Sequence, residues 1–148
     1  MRIELELNGV ATALEAEADE PLLGVLRRAG LPSVRPTCGI GVCGACTVLV
    51  EGEPISSCLL LAPLAAGRRV TTLEGLGDDV VSRAFDELGA FQCGYCTPGM
   101  VLTARALLTR EPDPSPERIR EALAGNVCRC GCYGRIVRAV RAAAEGTC

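Results

Sequence analysis

Ten cysteines among 148 residues are the side chains of this sequence best able to do chemistry. Two of them lie three positions apart in the stretch Gln92-Cys93-Gly94-Tyr95-Cys96-Thr97-Pro98-Gly99-Met100. Thr97 belongs to a residue type that caps helices and Pro98 suits a first helical position, so a helix is expected to begin here. The two thiols would then lie where a helix N-terminus presents partial positive charge and free N–H groups, which favours an anionic ligand.

A second pair of thiols, Cys128 and Cys130, comes just before another predicted helix. Four sulfurs from a Cys-x-x-Cys pair and a Cys-x-Cys pair can enclose a metal centre. The spacing alone leaves two interpretations open, a four-cysteine zinc site and an iron–sulfur cluster. Zinc sites more often use two Cys-x-x-Cys pairs, so the Cys-x-Cys half favours the cluster.

The earlier cysteines have a more specific spacing. Cys38, Cys43 and Cys46 follow C-x4-C-x2-C, and Cys58 comes after eleven further residues. This spacing is typical of plant-type [2Fe–2S] centres. Glycines between the ligands let the chain curl closely around such an anionic cluster, direct amides at sulfur and avoid a Cβ clash. The alternative, a glycine-rich turn with inert thiols, would have to match all four cysteine positions by chance.

Composition excludes several other classes of protein. The chain contains no histidine, which removes histidine-containing zinc sites, Rieske-type ligation, histidine-ligated haem and the commonest general base. Its net charge of −3 argues against a nucleic-acid partner. No apolar run approaches the ~18 residues of a membrane span, and the N-terminus lacks the apolar core of a signal peptide. We therefore expect a cytoplasmic chain, in which metal ligation explains ten cysteines better than disulfides do.

The first half of the chain has the period-two pattern of strands. Residues 3–7 and 10–16 predict two strands around the hairpin signal Asn8-Gly9. A helix is predicted from Pro21 to a stop at Gly30, with Leu22, Leu23, Leu26 and Ala29 facing inward. Further strands are predicted at 47–50, 54–57 and 70–72. This order indicates a small α+β sheet with one helix across it.

The spacing of apolar residues changes from a period of two to a helical period around Glu74-Gly75-Leu76-Gly77-Asp78. This change predicts two domains, of residues 1–75 and 76–148. Helices are predicted at about 79–89, at 98–110, from Ser115-Pro116 to a stop at Gly125, and after Tyr133. The residues expected to face inward are Val80, Val81, Ala84, Phe85, Leu88, Met100, Thr103, Ala104, Leu107, Leu108, Ile119, Ala122, Leu123, Ile136, Val137, Val140 and Ala144.

Together these motifs resemble the small iron–sulfur subunit of the molybdenum hydroxylases, the xanthine oxidase and aldehyde oxidoreductase family. The matching segments are 38–47, Cys58, 92–100 and Gly125-Asn126-Val127-Cys128-Arg129-Cys130, in the right order over most of the chain. The resemblance implies an N-terminal β-grasp plant-type ferredoxin domain followed by an all-α four-helix domain. Each domain would bind one [2Fe–2S] cluster. The implied ligands are Cys38, Cys43, Cys46 and Cys58 in the first domain, and Cys93, Cys96, Cys128 and Cys130 in the second.

The same resemblance implies partner subunits. A large subunit would hold a molybdenum–pterin cofactor (molybdopterin, including its cytosine dinucleotide form), and a medium subunit would hold FAD, in a dimer of heterotrimers. The helical-domain cluster would lie beside the pterin, with Cys130 and Gln92 approaching it, and the ferredoxin-domain cluster towards the flavin. The chain would then pass electrons from molybdenum to FAD and do no substrate chemistry itself. Aldehydes, N-heteroaromatics, purines and carbon monoxide are all oxidised by such enzymes, and the sequence does not choose among them.

One segment departs from the family pattern. The family usually reads Cys-Arg-Cys-Thr-Gly-Tyr, whereas this chain places a third thiol, Cys132, two residues beyond Cys130. We expect Cys132 to be spare, Cys148 to be a free surface thiol, and Tyr95 to pack between cluster and helix. A different hypothesis is a free-standing ferredoxin whose helical domain is stabilised by zinc. A purely structural zinc protein is a third, which the plant-type spacing disfavours.

Overall fold

A five-stranded mixed sheet forms the first half of the chain in the computed structural model, which describes residues 1–147. The strands are β1 (Arg2–Leu7), β2 (Val10–Glu15), β3 (Thr47–Val50), β4 (Glu53–Ser56) and β5 (Arg69–Thr71). Their order in the sheet is β2-β1-β5-β3-β4; β1 and β5 run parallel, and the other neighbouring pairs are antiparallel. Each predicted strand is present to within one residue at either end.

The β1–β2 hairpin turns where the sequence predicted. Asn8 and Gly9 have left-handed φ angles of 52° and 82°, the conformation that a two-residue hairpin turn requires. Alternate β1 residues Ile3, Leu5 and Leu7 are buried, because successive side chains of a strand point to opposite faces.

One helix, α1 (Leu22–Arg28), shares its core with the strands, which gives the predicted β-grasp arrangement. Leu22, Val25 and Leu26 are its buried residues. The prediction that Ala29 faces inward is wrong, because the helix ends at Arg28 and Ala29 is its exposed C-cap. Gly30 follows with a φ of 86°, as expected of a helix stop.

Four helices form the second half of the described chain, as predicted. They are α2 (Val80–Glu87), α3 (Thr97–Arg110), α4 (Pro116–Ala122) and α5 (Tyr133–Glu145), and they enclose a separate apolar core. Asp79 caps α2 by accepting from the N–H groups of Val81 and Ser82, and Ser115 caps α4 through the N–H of Arg118. None of the helices within residues 1–147 has the length and hydropathy needed to cross a membrane.

Some helix bounds and inward faces differ from the prediction. Leu88 is exposed because α2 ends at Glu87, and α4 ends at Ala122, ahead of Gly125. In α5 the buried alanines are Ala139 and Ala143, while Ala144 is only half-buried. The position of Cys148 lies outside the described residues.

The central helix α3 joins the two cores. Its Met100, Ala104 and Leu107 lie in the helical core, whereas Leu102 and Ala106 pack against Leu49 of β3. Because both sides are covered, most of α3 is buried.

Two glycines allow the start of α3 to approach the first cysteine loop closely. A Cβ atom on Gly99 would collide with the carbonyl oxygen of Gly44, and one on Gly44 would collide with that of Gly125. Gly44 also has a left-handed φ of 70°. The two halves of the chain therefore touch backbone to backbone at this point.

Candidate metal centres

The first cysteine set is assembled from two segments. Cys38, Cys43 and Cys46 lie in the loop that leads into β3, and Cys58 follows β4. The hydroxyl and N–H of Ser57 both donate to the carbonyl oxygen of Cys46, at 2.7 and 3.3 Å, and hold the segments together. Cys46 and Cys58 are buried, and the other two thiols are half-buried.

Backbone amides point at the first sulfur of this set, as the glycine spacing predicted. The N–H groups of Val42 and Cys43 lie 3.4 and 3.5 Å from Cys38 Sγ. Hydrogen bonds from Cys43, Ile40 and Val42 lower the pKa of Cys38 to about 6. The thiolate, which is the form that binds metal, is therefore favoured at this position.

Cys58 has the opposite environment. Burial, followed by the neighbouring Cys46 thiol, raises its pKa to about 11. The pKa of Cys58 also responds to charge on Cys38, while the side chain of Cys43 hydrogen-bonds to Cys38. All four predicted thiols of the first set therefore lie close enough to influence ionisation within the set.

The second set is also brought together in two pairs. Cys93 and Cys96 precede and cap α3, whereas Cys128 and Cys130 lie in the loop between α4 and α5. The thiol of Cys130 hydrogen-bonds to Cys93, and the thiol of Cys96 to Cys128.

The pKa values of three thiols in this set are shifted, and not all in the same direction. The Tyr95 N–H, 3.4 Å from Cys93 Sγ, and then the Cys130 thiol lower the pKa of Cys93. Burial and then Cys128 raise the pKa of Cys96 to about 12. Burial opposes ionisation of Cys128, but hydrogen bonds from the Cys132 N–H and the Cys96 thiol outweigh it and lower its pKa.

The predicted capping role of Thr97 is wrong. Cys96 is the N-cap residue of α3, and Thr97 already lies in the first turn together with Pro98. The chain enters the helix one residue early because Cys96 has helical angles, φ −81° and ψ −12°. The Thr97 hydroxyl oxygen is buried without a partner, the one such side-chain nitrogen or oxygen found among residues 1–147.

Cys132 lies beside the second set. It is 3% exposed, and its N–H donates to Cys128 Sγ at 3.4 Å. Burial and then the charge of Cys128 raise the pKa of Cys132. The neutral thiol is thus favoured at Cys132, whereas the pKa of Cys128 is lowered.

The two cysteine sets face each other across the contact between the two halves. They share a cavity of about 150 Å³, mostly apolar, lined by Thr37, Cys43, Ala45, Cys93, Tyr95, Cys96, Val127 and Arg129. The N–H of Val127 donates to the carbonyl oxygen of Cys43 at 2.9 Å, so a neighbour of the predicted ligand Cys128 pairs with a predicted ligand of the other set.

Several residues at this contact were not singled out from the sequence for these roles. The side chain of Asn126, 6% exposed, donates to Gly44 O at 3.2 Å and accepts from the Thr103 hydroxyl at 3.1 Å. The Tyr95 hydroxyl donates to Pro36 O at 2.7 Å, and the guanidinium of Arg35 lies over the Tyr95 ring, 4.9 Å from its centroid. The Tyr95 side chain, although 41% exposed, therefore contacts the first half of the chain. The partners of these residues are distant in the sequence, so no local pattern indicates the contacts.

Tyr133 is another residue whose role the sequence did not show. Its hydroxyl oxygen accepts a hydrogen bond from the N–H of Cys128 at 2.8 Å and so fixes the backbone of a predicted ligand. Proximity to Cys128 and Cys130 is the one sequence signal that could have suggested it. Gln92, predicted to approach the pterin, is exposed next to Cys93.

The donor set fits a [2Fe–2S] cluster at each site. Each site offers four sulfurs, amides directed at sulfur and partial shielding from water, which are the features that hold and tune such clusters. The unpaired Thr97 hydroxyl beside Cys96 is a further donor available to a bound group. Within residues 1–147, no three Cys, Asp or Glu side chains converge in a geometry suited to one metal ion.

Comparison with known proteins agrees with this chemistry. Residues 5–72 match the model of a 2Fe-2S iron-sulfur cluster binding domain, and residues 72–141 match that of a [2Fe-2S] binding domain. The nicotinate dehydrogenase small FeS subunit of Eubacterium barkeri is 48% identical over 97% of this chain and 94% of the relative. The xanthine dehydrogenase iron-sulfur-binding subunit of Escherichia coli O157:H7 is 45% identical over 93% of this chain and 91% of the relative.

A solved structure of quinoline 2-oxidoreductase from Pseudomonas putida 86 superposes with a TM-score of 0.95 at 40% identity, covering 99% of this chain and 94% of that one. The family models that match the two halves of the chain agree with the cysteine pattern. The relatives of nearly full length and the superposed structure agree with it too. The chain therefore belongs to the family of small [2Fe–2S] iron–sulfur subunits of the molybdenum hydroxylases.

Proposed function

We propose that this chain carries electrons from a molybdenum–pterin site on one partner subunit, through two [2Fe–2S] clusters of its own, to FAD on another. As a family member it is one subunit of an oxidoreductase complex. The main support for an electron path through two clusters is the placement of two four-thiol sets beside one shared cavity. A bound [2Fe–2S] cluster supplies a site that accepts and returns one electron.

The residues of this chain would hold the clusters and fix their separation. We assign Cys38, Cys43, Cys46 and Cys58 to the first cluster and Cys93, Cys96, Cys128 and Cys130 to the second. The hydrogen bond from Val127 to Cys43 and the buried contacts of Asn126 keep the ligand loops in one arrangement. We place the boundary between the domains at residues 75 and 76.

The first set has an apolar rim that suits a partner subunit. Ile40, Val42 and Leu59 are 67%, 60% and 61% exposed around the ligand loop. Clustered exposed apolar side chains are characteristic of interaction sites. We propose that the medium, FAD-binding subunit covers this rim.

The second set is open on its own side. Cys93 and Gln92 are exposed, and Cys130 is half-buried. Phe91, Val127 and Tyr133 add exposed apolar surface around them. We propose that the large, molybdopterin-binding subunit covers this surface, with Gln92 and Cys130 nearest the pterin. The complete complex would be a cytoplasmic dimer of heterotrimers.

Metal analysis of the complex purified from its host tests the proposal. We expect four irons and four acid-labile sulfides for each copy of the chain, and two distinct EPR signals after reduction. This expectation rests on the eight cysteines, which form two sets of four. Two irons and one zinc per chain would instead establish a ferredoxin with a zinc-stabilised helical domain.

A further inference from the structure

The hydroxyl of Thr97 is a buried hydrogen-bond donor with nothing to donate to. Thr97 directly follows Cys96, a proposed ligand of the second cluster, in the first turn of α3. Burying a hydroxyl without a partner is unfavourable, so folded proteins nearly always pair such groups. The exception at this position therefore needs a physical reason.

Other threonines of α3 pair their hydroxyls within the protein. Thr103 donates to the side-chain oxygen of Asn126 at 3.1 Å, and Thr109 donates to the carbonyl oxygen of Arg105 at 2.9 Å. The bond from Thr109 is the usual one for a helical threonine, to the carbonyl four residues earlier. Thr97 makes no such bond, so its hydroxyl remains available to another acceptor.

The surroundings of Thr97 make a sulfur acceptor favourable. The Thr97 hydroxyl oxygen is itself shielded from solvent, and the neighbouring Cys96 is half-buried. Water is therefore a poor competitor here, and a hydrogen bond to an anionic group is stronger in such an environment than at the surface. Once a cluster is bound, its thiolates and sulfides are the anionic acceptors beside Thr97.

We propose that the Thr97 hydroxyl donates a hydrogen bond to a sulfur of the [2Fe–2S] cluster in the second set and raises the reduction potential of that cluster. This inference rests on the proposed function, which places a cluster there. Reduction adds negative charge to the cluster, so a donor stabilises the reduced form more than the oxidised form. Removing the donor must lower the potential.

The test uses three variants of the complex purified from its host. Thr97→Val keeps the shape of the side chain but removes the hydroxyl, Thr97→Ser keeps a hydroxyl, and Thr109→Val removes an exposed hydroxyl from the same helix. Iron content is measured first. The potential of each cluster is then measured by redox titration followed by EPR, and the second-set signal is the one that Cys130→Ser removes.

In Thr97→Val, the ratio of reduced to oxidised second-set cluster at a fixed potential is expected to fall at least three-fold. This corresponds to about 28 mV for one electron, at 59 mV for each factor of ten. Thr97→Ser and Thr109→Val should match the wild type. The first-set cluster is an internal reference whose potential should not move in any variant.

The outcomes separate this inference from the proposed function. A fully iron-loaded Thr97→Val variant with the wild-type potential overturns the role of Thr97 and leaves the proposed function intact. A wild-type complex without iron in the second set overturns both. If the Thr97→Val variant loses the iron of the second set, the Thr97→Ala variant is measured in its place. Equal second-set potentials in Thr97→Ala and Thr97→Ser then overturn the inference.

Discussion

Each cysteine set contains a thiol that ionises readily and one that resists ionisation. The pKa of Cys38 is about 6 and that of Cys58 about 11, while in the second set the pKa of Cys93 is lowered and that of Cys96 is about 12. The difference follows from amide donors at the more exposed sulfurs and burial of the others. Because thiolates bind the metal, cluster binding must release protons from thiols with a raised pKa, such as Cys58 and Cys96, and raising the pH favours it.

The ligand register is testable at Cys132 and Cys130. Cys132→Ser should retain the full iron content and both EPR signals, because Cys93, Cys96, Cys128 and Cys130 already supply four sulfurs to the proposed second cluster. Cys130→Ser should lose the second-set cluster alone, because the Cys130 thiol pairs with Cys93. Iron assays and EPR of the reduced complex measure both effects.

The opposite result would contradict this register. If Cys132→Ser loses the second cluster while Cys130→Ser keeps it, the last ligand lies two residues further along the chain. The pterin contact proposed for Cys130 would then have to be reassigned.

At the scale of elements, sequence patterns correctly predicted the features that depend on residues close together in the chain. The Asn8-Gly9 turn, the strand periods and the helix start at Ser115-Pro116 involve residues a few positions apart. Thr97 was predicted wrongly because capping preference is a local rule, and here Cys96 takes the cap position before the hydroxyl can. Contacts such as Glu74 with Ser33, 41 residues apart, have no local pattern and could not be predicted.

Glu74 fixes the loop that leads to the first cysteine set, and its contribution should depend on pH. Its carboxylate accepts from the Ser33 N–H at 3.0 Å and from the hydroxyls of Ser33 and Thr72 at 2.5 and 2.6 Å. Burial raises the pKa of Glu74, but these hydrogen bonds outweigh it and hold the pKa below the ordinary 4.5. The stabilisation is therefore complete above pH 4.5 and is lost as the pH falls through the lower, folded-state pKa.

Comparison of Glu74→Gln with the wild type measures this dependence. The free energy of unfolding should differ by on the order of 1 kcal/mol near neutral pH, where the charged hydrogen bonds are lost, and the difference should shrink below about pH 4.5. Glu117→Gln, which removes an exposed ion pair with Arg120, is the matched control and should change stability little. A difference for Glu74→Gln that stays constant from pH 7 to pH 3 would refute the assignment.

At the scale of the whole molecule, contacts between the two halves of the chain converge on the proposed ligand loops. Asn126 lies two residues before Cys128 and donates to the residue after Cys43. The Val127 N–H donates to Cys43 itself, and Tyr95 reaches Pro36. Movement of one domain against the other would thus disturb both cysteine sets.

Replacing Asn126 tests this coupling. Asn126→Ala leaves the Thr103 hydroxyl without its partner and removes a donor from Gly44 O, so the free energy of unfolding should fall by about 1–3 kcal/mol. Hydrogen exchange at the Val127 amide should also become faster, because its acceptor on Cys43 is less firmly held. Chemical unfolding and amide exchange, both under anaerobic conditions, measure these effects.

Thr109→Ala is the control for this experiment, since Thr109 is exposed at the far end of α3. It should change stability by less than about 0.5 kcal/mol and leave exchange at Val127 unaltered. Wild-type exchange at Val127 in Asn126→Ala would show that the domains are held together elsewhere.

The backbone contact between Gly44 and Gly99 limits how this protein can be recombined with its relatives. Gly99 lies in the first turn of α3, beside the carbonyl of Gly44. A side chain at either glycine would collide with backbone or with Asn126. A chimera that joins residues 1–75 of this chain to the second half of a relative must therefore keep glycine at the positions of both Gly44 and Gly99. The two halves of the chain are thus matched to each other, and the absence of a side chain at both Gly44 and Gly99 is one condition of their close contact.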